Sequence, residues 1–264
     1  MPIFSLYLYA MLIDTHTHYY DDRYEGLGDA AVERAVAAGV GKMIQADIDS
    51  RERGRMWEIG ERHKGVLFQM AGVYPGSIDA GWREEIDKMI PFTEKEVVAI
   101  GEIGLDYHEG KEFAAEQMEA LRVQFELAAK LDLPVNIHMR DAWDDFFKVL
   151  EDCRHLGLRG NLHCFSGSHE IFLRANRSGD FAVGIGGVVT FRKASLRETV
   201  TKIPLEKILL ETDCPYLAPT PHRGECNESA YLPLIADELA LLKGISREEV
   251  EETTTKSAEK LFKI

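Results

Sequence analysis

The residues best suited to chemistry in this chain begin with two histidines spaced i, i+2 at the end of an apolar run, LIDTHTH (12–18). Side chains alternate across a strand, so Asp14, His16 and His18 share one face. A lone histidine at a strand end is ordinarily a hydrogen-bonded structural residue. A pair aimed at one point is a candidate ligand set for a metal ion. Glu102 ends the run VVAIGE (97–102), His138 lies in PVNIHM (134–139), His163 in GNLHCF (160–165), and Asp213 follows KILLET (207–212). Imidazole nitrogen and carboxylate oxygen are ligands of zinc, manganese, iron or nickel, and a shared carboxylate commonly bridges two such ions. Converging four histidines and two carboxylates costs too much desolvation to be a packing accident. The alternative is a buried histidine–carboxylate hydrogen-bond network without metal.

The expectation is therefore a hydrolytic centre holding two divalent ions. Ions about 3.5–4 Å apart polarise an electrophile, lower the pKa of water and stabilise a leaving oxygen. Glu102 is the candidate bridge. Asp213 is expected both to bind metal and to accept the proton of the attacking water, which requires hydrogen-bond reach.

These residues need a scaffold that brings six separate stretches to one mouth. Eight short apolar runs, at 12–16, 41–46, 67–73, 97–102, 134–139, 160–165, 181–186 and 207–212, read as strands. Helical patterns separate them, clearest at 113–133 and 141–157, and two more at 229–243 and 246–262 finish the chain. Ser246 with Glu249 forms an S-x-x-E capping box. This alternation predicts an α/β fold, a single-domain (β/α)8 (TIM) barrel, with a doubly wound sheet as the competitor. A barrel places its active site at the carboxyl ends of the strands, where all six residues fall. The other histidines, His63, His108, His155, His169 and His222, lack strand-end placement and read as structural or surface residues.

Composition narrows the partners. The 264 residues are 45% hydrophobic, enough for a substantial core, and the formal net charge is −14. Such acidity repels long polyanions and argues against an extended basic groove, but not against a phosphate at a local cationic site. Residues 1–11 read as a leader or upstream-start segment, residues 12–264 as the barrel. The opening MPIFSLYLYA lacks the basic region of a signal peptide and is too short to span a membrane. Cys153, Cys164, Cys214 and Cys226 show no CxxC pairing and read as reduced thiols. A cytoplasmic location and no membrane partner are the expectations, and the sequence leaves the oligomeric state open, a monomer being compatible with it.

Other motifs weigh less. GEIGLDYH (101–108) has two glycines that let the backbone turn around Glu102, and its Asp106 either caps the following loop, the favoured reading, or orients a ligand. In HCFSG (163–167), strand alternation turns Cys164 away from His163, which argues against a Cys–His nucleophile pair. IGGVVTF (185–191) lacks the GK[ST] of a phosphate loop. The loop YLAPTPHRGECNE (216–228) carries Arg223 and Asn227 as candidate substrate contacts, and Arg223 either forks onto a phosphate or carboxylate or braces the loop.

Taken together, IDTHTH, GEIGLDYH, LPVNIHMRDA, LHCFSGS, GGVVTF, LLETDCPYLAPTPHRG with CNES, and the closing GIS…LF helix resemble the TatD family of metal-dependent deoxyribonucleases, in the amidohydrolase superfamily. The resemblance spans residues 12 to 264. It implies that His16, His18, Glu102, His138, His163 and Asp213 are the metal ligands, and that the reaction is phosphodiester hydrolysis, commonly 3′-to-5′ on single-stranded DNA. The substrate would be a nucleic-acid end or a small phosphodiester. On this reading His16 and His18 share one ion with Glu102 and Asp213, and His138 and His163 hold the other with Glu102. Asp14 would orient a ligating histidine from below. The metals would be zinc, manganese or magnesium, and four imidazoles favour zinc or manganese over the harder ion.

One segment departs from the family pattern. Where TatD proteins usually carry G-x-H-P-H, this chain reads GVYPGS, with Tyr74 and Gly76 replacing both histidines. Tyr74 keeps a hydroxyl donor near the expected substrate position but no positive charge. The departure leaves open a second reading, ester or amide hydrolysis as by a D-aminoacyl-tRNA deacylase.

Overall fold

The computed structural model describes residues 11–264. The expected leader, residues 1–11, falls outside the described residues except for Met11, whose carbonyl accepts a hydrogen bond from Thr255. Eight strands form one sheet in chain order: β1 (Leu12–Thr17), β2 (Val40–Gln45), β3 (Leu67–Ala71), β4 (Val97–Asp106), β5 (Val135–Arg140), β6 (Arg159–Leu162), β7 (Asp180–Ile185) and β8 (Ile208–Leu210). Neighbours are parallel throughout. The intervening helices are α1 (Gly28–Ala37), α2 (Ser50–Arg62), α3 (Trp82–Met89), α4 (Ala114–Leu131), α5 (Trp143–Asp152), α6 (His169–Ala175) and α7 (Leu196–Lys202), followed by α8 (Leu232–Lys243) and α9 (Arg247–Phe262). The unbroken strand order is that of a (β/α)8 barrel and excludes the doubly wound alternative, whose order reverses at a switch point.

β8 is short, and the residues after it close the barrel. The Asp213 N–H donates to His16 O at 3.0 Å, and the His18 N–H donates to Cys214 O at 2.8 Å. The seam of the barrel thus holds Asp213 against the two histidines of the first strand. At the opposite end, Ile13, Ile44, Met70, Ala99 and Leu209 pack against Ala258 and Phe262 of α9. Helix α9 begins as its capping box predicts, with Ser246 Oγ accepting from the Glu249 N–H at 3.1 Å.

Helix α4 does more than cover the sheet. Its buried face carries Leu121, Phe125 and Ala128 at helical spacing, and also two glutamines. Gln117 Oε1 accepts from the Asp106 N–H at 2.9 Å, and Gln124 Oε1 from the Val73 N–H at 2.8 Å. Both bonds tie the helix to backbone at the mouth. The helix stops at Asp132 in a left-handed conformation, φ 53°, with the Leu133 N–H returning to Ala128 O at 3.0 Å.

Three local departures from the expected elements bear on the site. β4 runs to Asp106, so Glu102 lies within the strand, where the ladder to β5 slips between Ile100 and Ile103. Gly104, at φ +147°, permits the close approach: a Cβ there would stand 1.9 Å from His138 O. β6 ends at Leu162, so His163 and Cys164 follow the strand, and Cys164 is left-handed at φ 45°. The alternation that turned Cys164 away from the site does not extend to it. Helix α5 starts at Trp143 because Asp141, at φ 56°, is outside the helical region.

Candidate metal centre

The six sequence-predicted ligands meet at the carboxyl ends of the strands. His16 Nε2 lies 3.0 Å from His18 Nε2, 3.3 Å from Glu102 Oε2 and 3.7 Å from Asp213 Oδ1. His18 Nε2 is 3.7 Å from Glu102 Oε2 and 3.5 Å from Asp213 Oδ1. Donors around a tetrahedral ion with bonds of about 2.0–2.1 Å stand about 3.4 Å apart, so this quartet has the dimensions of one small divalent cation. The other oxygen of Glu102 faces a different pair: Oε1 is 2.9 Å from His138 Nδ1 and 3.3 Å from His163 Nε2. The rings of His16 and His163 stack between the two groups, with centroids 3.6 Å apart.

Hydrogen bonds behind the rings decide which nitrogens face inward. His16 Nδ1 lies 2.9 Å from Asn136 Oδ1, an acceptor, so the proton belongs on Nδ1. His18 Nδ1 lies 2.9 Å from the Tyr20 hydroxyl, which itself donates to Ala46 O at 2.5 Å and is left to accept from the ring. Both inward Nε2 atoms then present lone pairs, 3.0 Å apart and facing carboxylates. Such a set repels itself unless a cation or proton joins it, and its nitrogen and oxygen donors fit a divalent ion.

The second pair is oriented by carboxylates. His138 Nε2 contacts Asp106 Oδ2 at 2.9 Å, and that oxygen also accepts from the Tyr74 hydroxyl at 3.1 Å. Asp106 does cap its loop, accepting from the His108 N–H at 2.9 Å, so both readings of this residue hold together. His163 Nδ1 lies 3.3 Å from Glu211 Oε1. Glu211 is fully buried, accepting from the Cys164 N–H at 2.5 Å and from Asn161 Nδ2 at 3.2 Å. Gly184 makes the room, since a Cβ there would stand 1.9 Å from Glu211 Oε2.

The electrostatics follow from this packing. Burial disfavours charge on Glu102, yet His16 and His163 outweigh it and hold the carboxyl well below its usual range. Asp213 is lowered in the same way, burial being overcome by its histidine neighbours His18, His163 and His16. Burial also works against charge on His163, but Glu102 and Glu211 raise it well above the ordinary imidazole value. Both carboxylates are thus ionised at neutral pH and ready to hold a cation.

Several expected residues stand elsewhere than the sequence suggested. Asp14 touches neither imidazole. It accepts from the His16 N–H at 3.3 Å, from Thr212 Oγ1 at 2.6 Å and from Ser229 Oγ at 2.5 Å, and burial pushes its carboxyl up to about 7. It pins backbone across the barrel seam, while Asn136 and Tyr20 do the orienting. Asn227 is buried, with Nδ2 donating to Thr212 O and Tyr216 O and Oδ1 accepting from the Glu228 N–H, so it braces the loop and has no donor free for substrate. Arg223 is exposed and stacks over Phe191 at 4.3 Å, outside the cavity lining. Tyr74 does line the cavity, a space of about 570 Å³ over the centre. Cys164 lines it as well, but burial pushes its thiol up to about 12, which withholds the thiolate a nucleophile needs. None of the five remaining histidines lines this cavity. Sequence reasoning missed Asn136, Glu211 and Tyr20, each two residues from a predicted ligand: His138, Asp213 and His18. The strand alternation that paired His16 with His18 was the signal that could have found Asn136, whereas Glu211 and Asp213 lie beyond β8.

Comparison with known proteins agrees with this geometry. The model of the TatD related DNase family matches residues 13–263. A Bacillus subtilis protein described as an uncharacterized metal-dependent hydrolase, YabD, is 36% identical over 261 residues, covering 96% of this chain and 100% of the relative. The 3′-5′ ssDNA/RNA exonuclease TatD of Erwinia billingiae is 34% identical over 257 residues, covering 95% and 96%. The crystal structure of YjjV, a TatD homologue from Escherichia coli, superposes with a TM-score of 0.89 at 28% identity, covering 97% of this chain and 100% of that one. The chain belongs to the TatD family and is a metal-dependent hydrolase of the (β/α)8 barrel type.

Proposed function

We propose that this protein is a two-metal phosphodiesterase that removes nucleotides from the 3′ end of single-stranded DNA or RNA. The observation that carries the reading is the division of Glu102, whose Oε2 faces His16 and His18 and whose Oε1 faces His138 and His163. A carboxylate presenting one oxygen to each of two nitrogen pairs is suited to bridge two ions. Relatives named as 3′-5′ ssDNA/RNA exonucleases, such as that of Erwinia billingiae, support the substrate class.

When bound, divalent ions held by His16, His18, Glu102 and Asp213 on one side, and by His138, His163 and Glu102 on the other, supply Lewis acidity to the phosphoryl oxygens and lower the pKa of the attacking water. Asp213, ionised at neutral pH, accepts that water's proton. Asp106 and Glu211 hold the His138 and His163 rings in place, and burial keeps Glu102 out of competition with solvent. Tyr74 offers the cavity a neutral hydroxyl, since burial keeps its phenol well above the usual range and hence protonated.

The test is a side-by-side assay of manganese- and zinc-loaded protein on 3′-labelled and 5′-labelled oligonucleotides, bis(4-nitrophenyl) phosphate and a D-aminoacyl-tRNA. Stepwise release of label from the 3′ end, with loss of metal and turnover together in His138→Ala, is the expected result. Deacylation without nucleotide release would overturn it in favour of a carboxylic-ester hydrolase on the same ligands.

A further inference from the structure

The mouth of this acidic barrel contains an arginine, Arg140, with no carboxylate partner among the described residues. Of the 17 arginines, ten pair with a carboxylate: Arg34, Arg51, Arg53, Arg55, Arg62, Arg122, Arg154, Arg159, Arg197 and Arg247. Arg140 pairs with none among the described residues, although the chain carries 45 acidic residues to 31 basic ones. Its cross-strand neighbour on β4 is Asp106, an obvious partner by position. The oxygens of Asp106 are instead engaged by His138, Tyr74 and the His108 N–H.

Position distinguishes Arg140 from the other unpaired arginines. Arg23 and Arg223 lie over the rings of Tyr216 and Phe191 at 4.3 Å each, and Arg83 and Arg174 likewise cover Trp82 and Phe147. Arg177 and Arg192 also pair with no carboxylate among the described residues, and of these seven arginines Arg140 is the one that lines the cavity over the candidate metal-ligand cluster. It stands two residues beyond His138 on β5, so strand alternation sends both side chains to one face. An exposed guanidinium with five donors and no carboxylate partner among the described residues is matched to a bidentate oxyanion. The cavity volume of about 570 Å³ leaves space for more than the reacting phosphate alone.

We propose that Arg140 is a specificity-determining residue that binds a second, non-reacting phosphate of the substrate, so that the site selects phosphodiesters carrying a neighbouring phosphate over isolated ones. This rests on the phosphodiesterase reading above and sharpens it to a charged strand end. The sequence-level candidate for this role, Arg223, is stacked on the rim, and Tyr74 supplies no positive charge.

The experiment compares wild type, Arg140→Gln and Arg140→Lys on three probes. The dinucleotide pTpT carries a phosphate beside its scissile diester, and bis(4-nitrophenyl) phosphate carries none. Thymidine 3′,5′-bisphosphate, which has no diester to cleave, is titrated calorimetrically against thymidine 5′-monophosphate. Arg140→Gln should raise KM for pTpT about 10- to 100-fold, the range of a charge-assisted hydrogen-bonded contact, with kcat and both constants for bis(4-nitrophenyl) phosphate within about twofold. Arg140→Lys should recover part of the loss, since it restores charge without the fork. The bisphosphate should lose affinity in Arg140→Gln while the monophosphate does not. Equal losses on both diesters, or unchanged bisphosphate binding, would overturn the proposal. If wild type cleaves neither diester, the phosphodiesterase reading fails, and Arg140-dependent binding of the bisphosphate still decides whether the second anion site exists.

Discussion

Glu211→Gln tests the architecture of the centre most sharply, because it changes one charge on a buried group that no ion is expected to touch. The glutamate accepts from the Cys164 N–H and from Asn161 Nδ2, and its Oε1 stands 3.3 Å from His163 Nδ1 as an ion-pair contact. A glutamine of the same shape keeps one acceptor oxygen and turns an amide donor toward one of the other two groups, where donor meets donor. The substitution removes the negative charge beside the His163 ring. Carboxylates behind ligating histidines are typically worth 10–100-fold in metal affinity, about 1.4–2.7 kcal/mol. On the two-metal reading proposed above, the loss should be confined to the ion expected at His138 and His163, because the rings of His16 and His18 rest on Asn136 and Tyr20. Competition with a chromophoric chelator, with bound zinc measured by elemental analysis, should show one of two equivalents weakened by that factor. An affinity within threefold of wild type for both, or an equal loss at both, would refute the argument that Glu211 sets the His163 ring.

Three further outcomes follow from buried groups. Arg53 and Asp47 form an ion pair at 2.6 Å with both side chains 1% exposed, and the Asp47 carbonyl accepts the Glu102 N–H at 3.0 Å. Arg53→Met should cost about 3–5 kcal/mol in urea unfolding by stranding the carboxylate, and adding Asp47→Asn should return a large part of it; no recovery would show that packing of the arginine stem dominates. Tyr20→Phe removes the acceptor behind His18 and should weaken the ion held by His16 and His18 about tenfold, read by the same chelator titration. Cys226 is exposed, whereas Cys153 and Cys214 are buried, and burial pushes the Cys214 thiol up to about 12. At pH 8, a thiol reagent should modify Cys226 quickly and Cys153 and Cys214 only on unfolding, checked by mass spectrometry of labelled peptides.

Much of the site was legible because strand alternation and barrel topology are local rules with a global consequence. Once His16, Glu102, His138, His163 and Asp213 were placed near the carboxyl ends of successive strands, a parallel barrel had to bring them together. The rules failed where the strands became irregular. Glu102 lies in a slipped register within β4, which runs on to Asp106 instead of ending there, and Cys164 follows a strand that ends at Leu162, so period-two reasoning reversed its facing. Arg223 and Asn227 show another limit of residue type: both have the chemistry of a substrate contact, but Phe191 and the loop carbonyls of Thr212 and Tyr216 engage them in the structure.

The sequence by itself determined the barrel, the family resemblance and the convergence of six candidate ligands, because each depends on residue type and on spacing along one strand. Only the tertiary structure decided which partners those ligands have. That Asn136 and Tyr20, not Asp14, turn the first two histidines, that Glu211 sits behind His163 in space left by Gly184, and that Arg140 lacks a carboxylate while Arg223 is stacked away, all depend on distances between strands distant in sequence. Hydrogen bonds and ion pairs are decided within a few tenths of an ångström, and that precision arises only when the closed barrel fixes every strand against its neighbours.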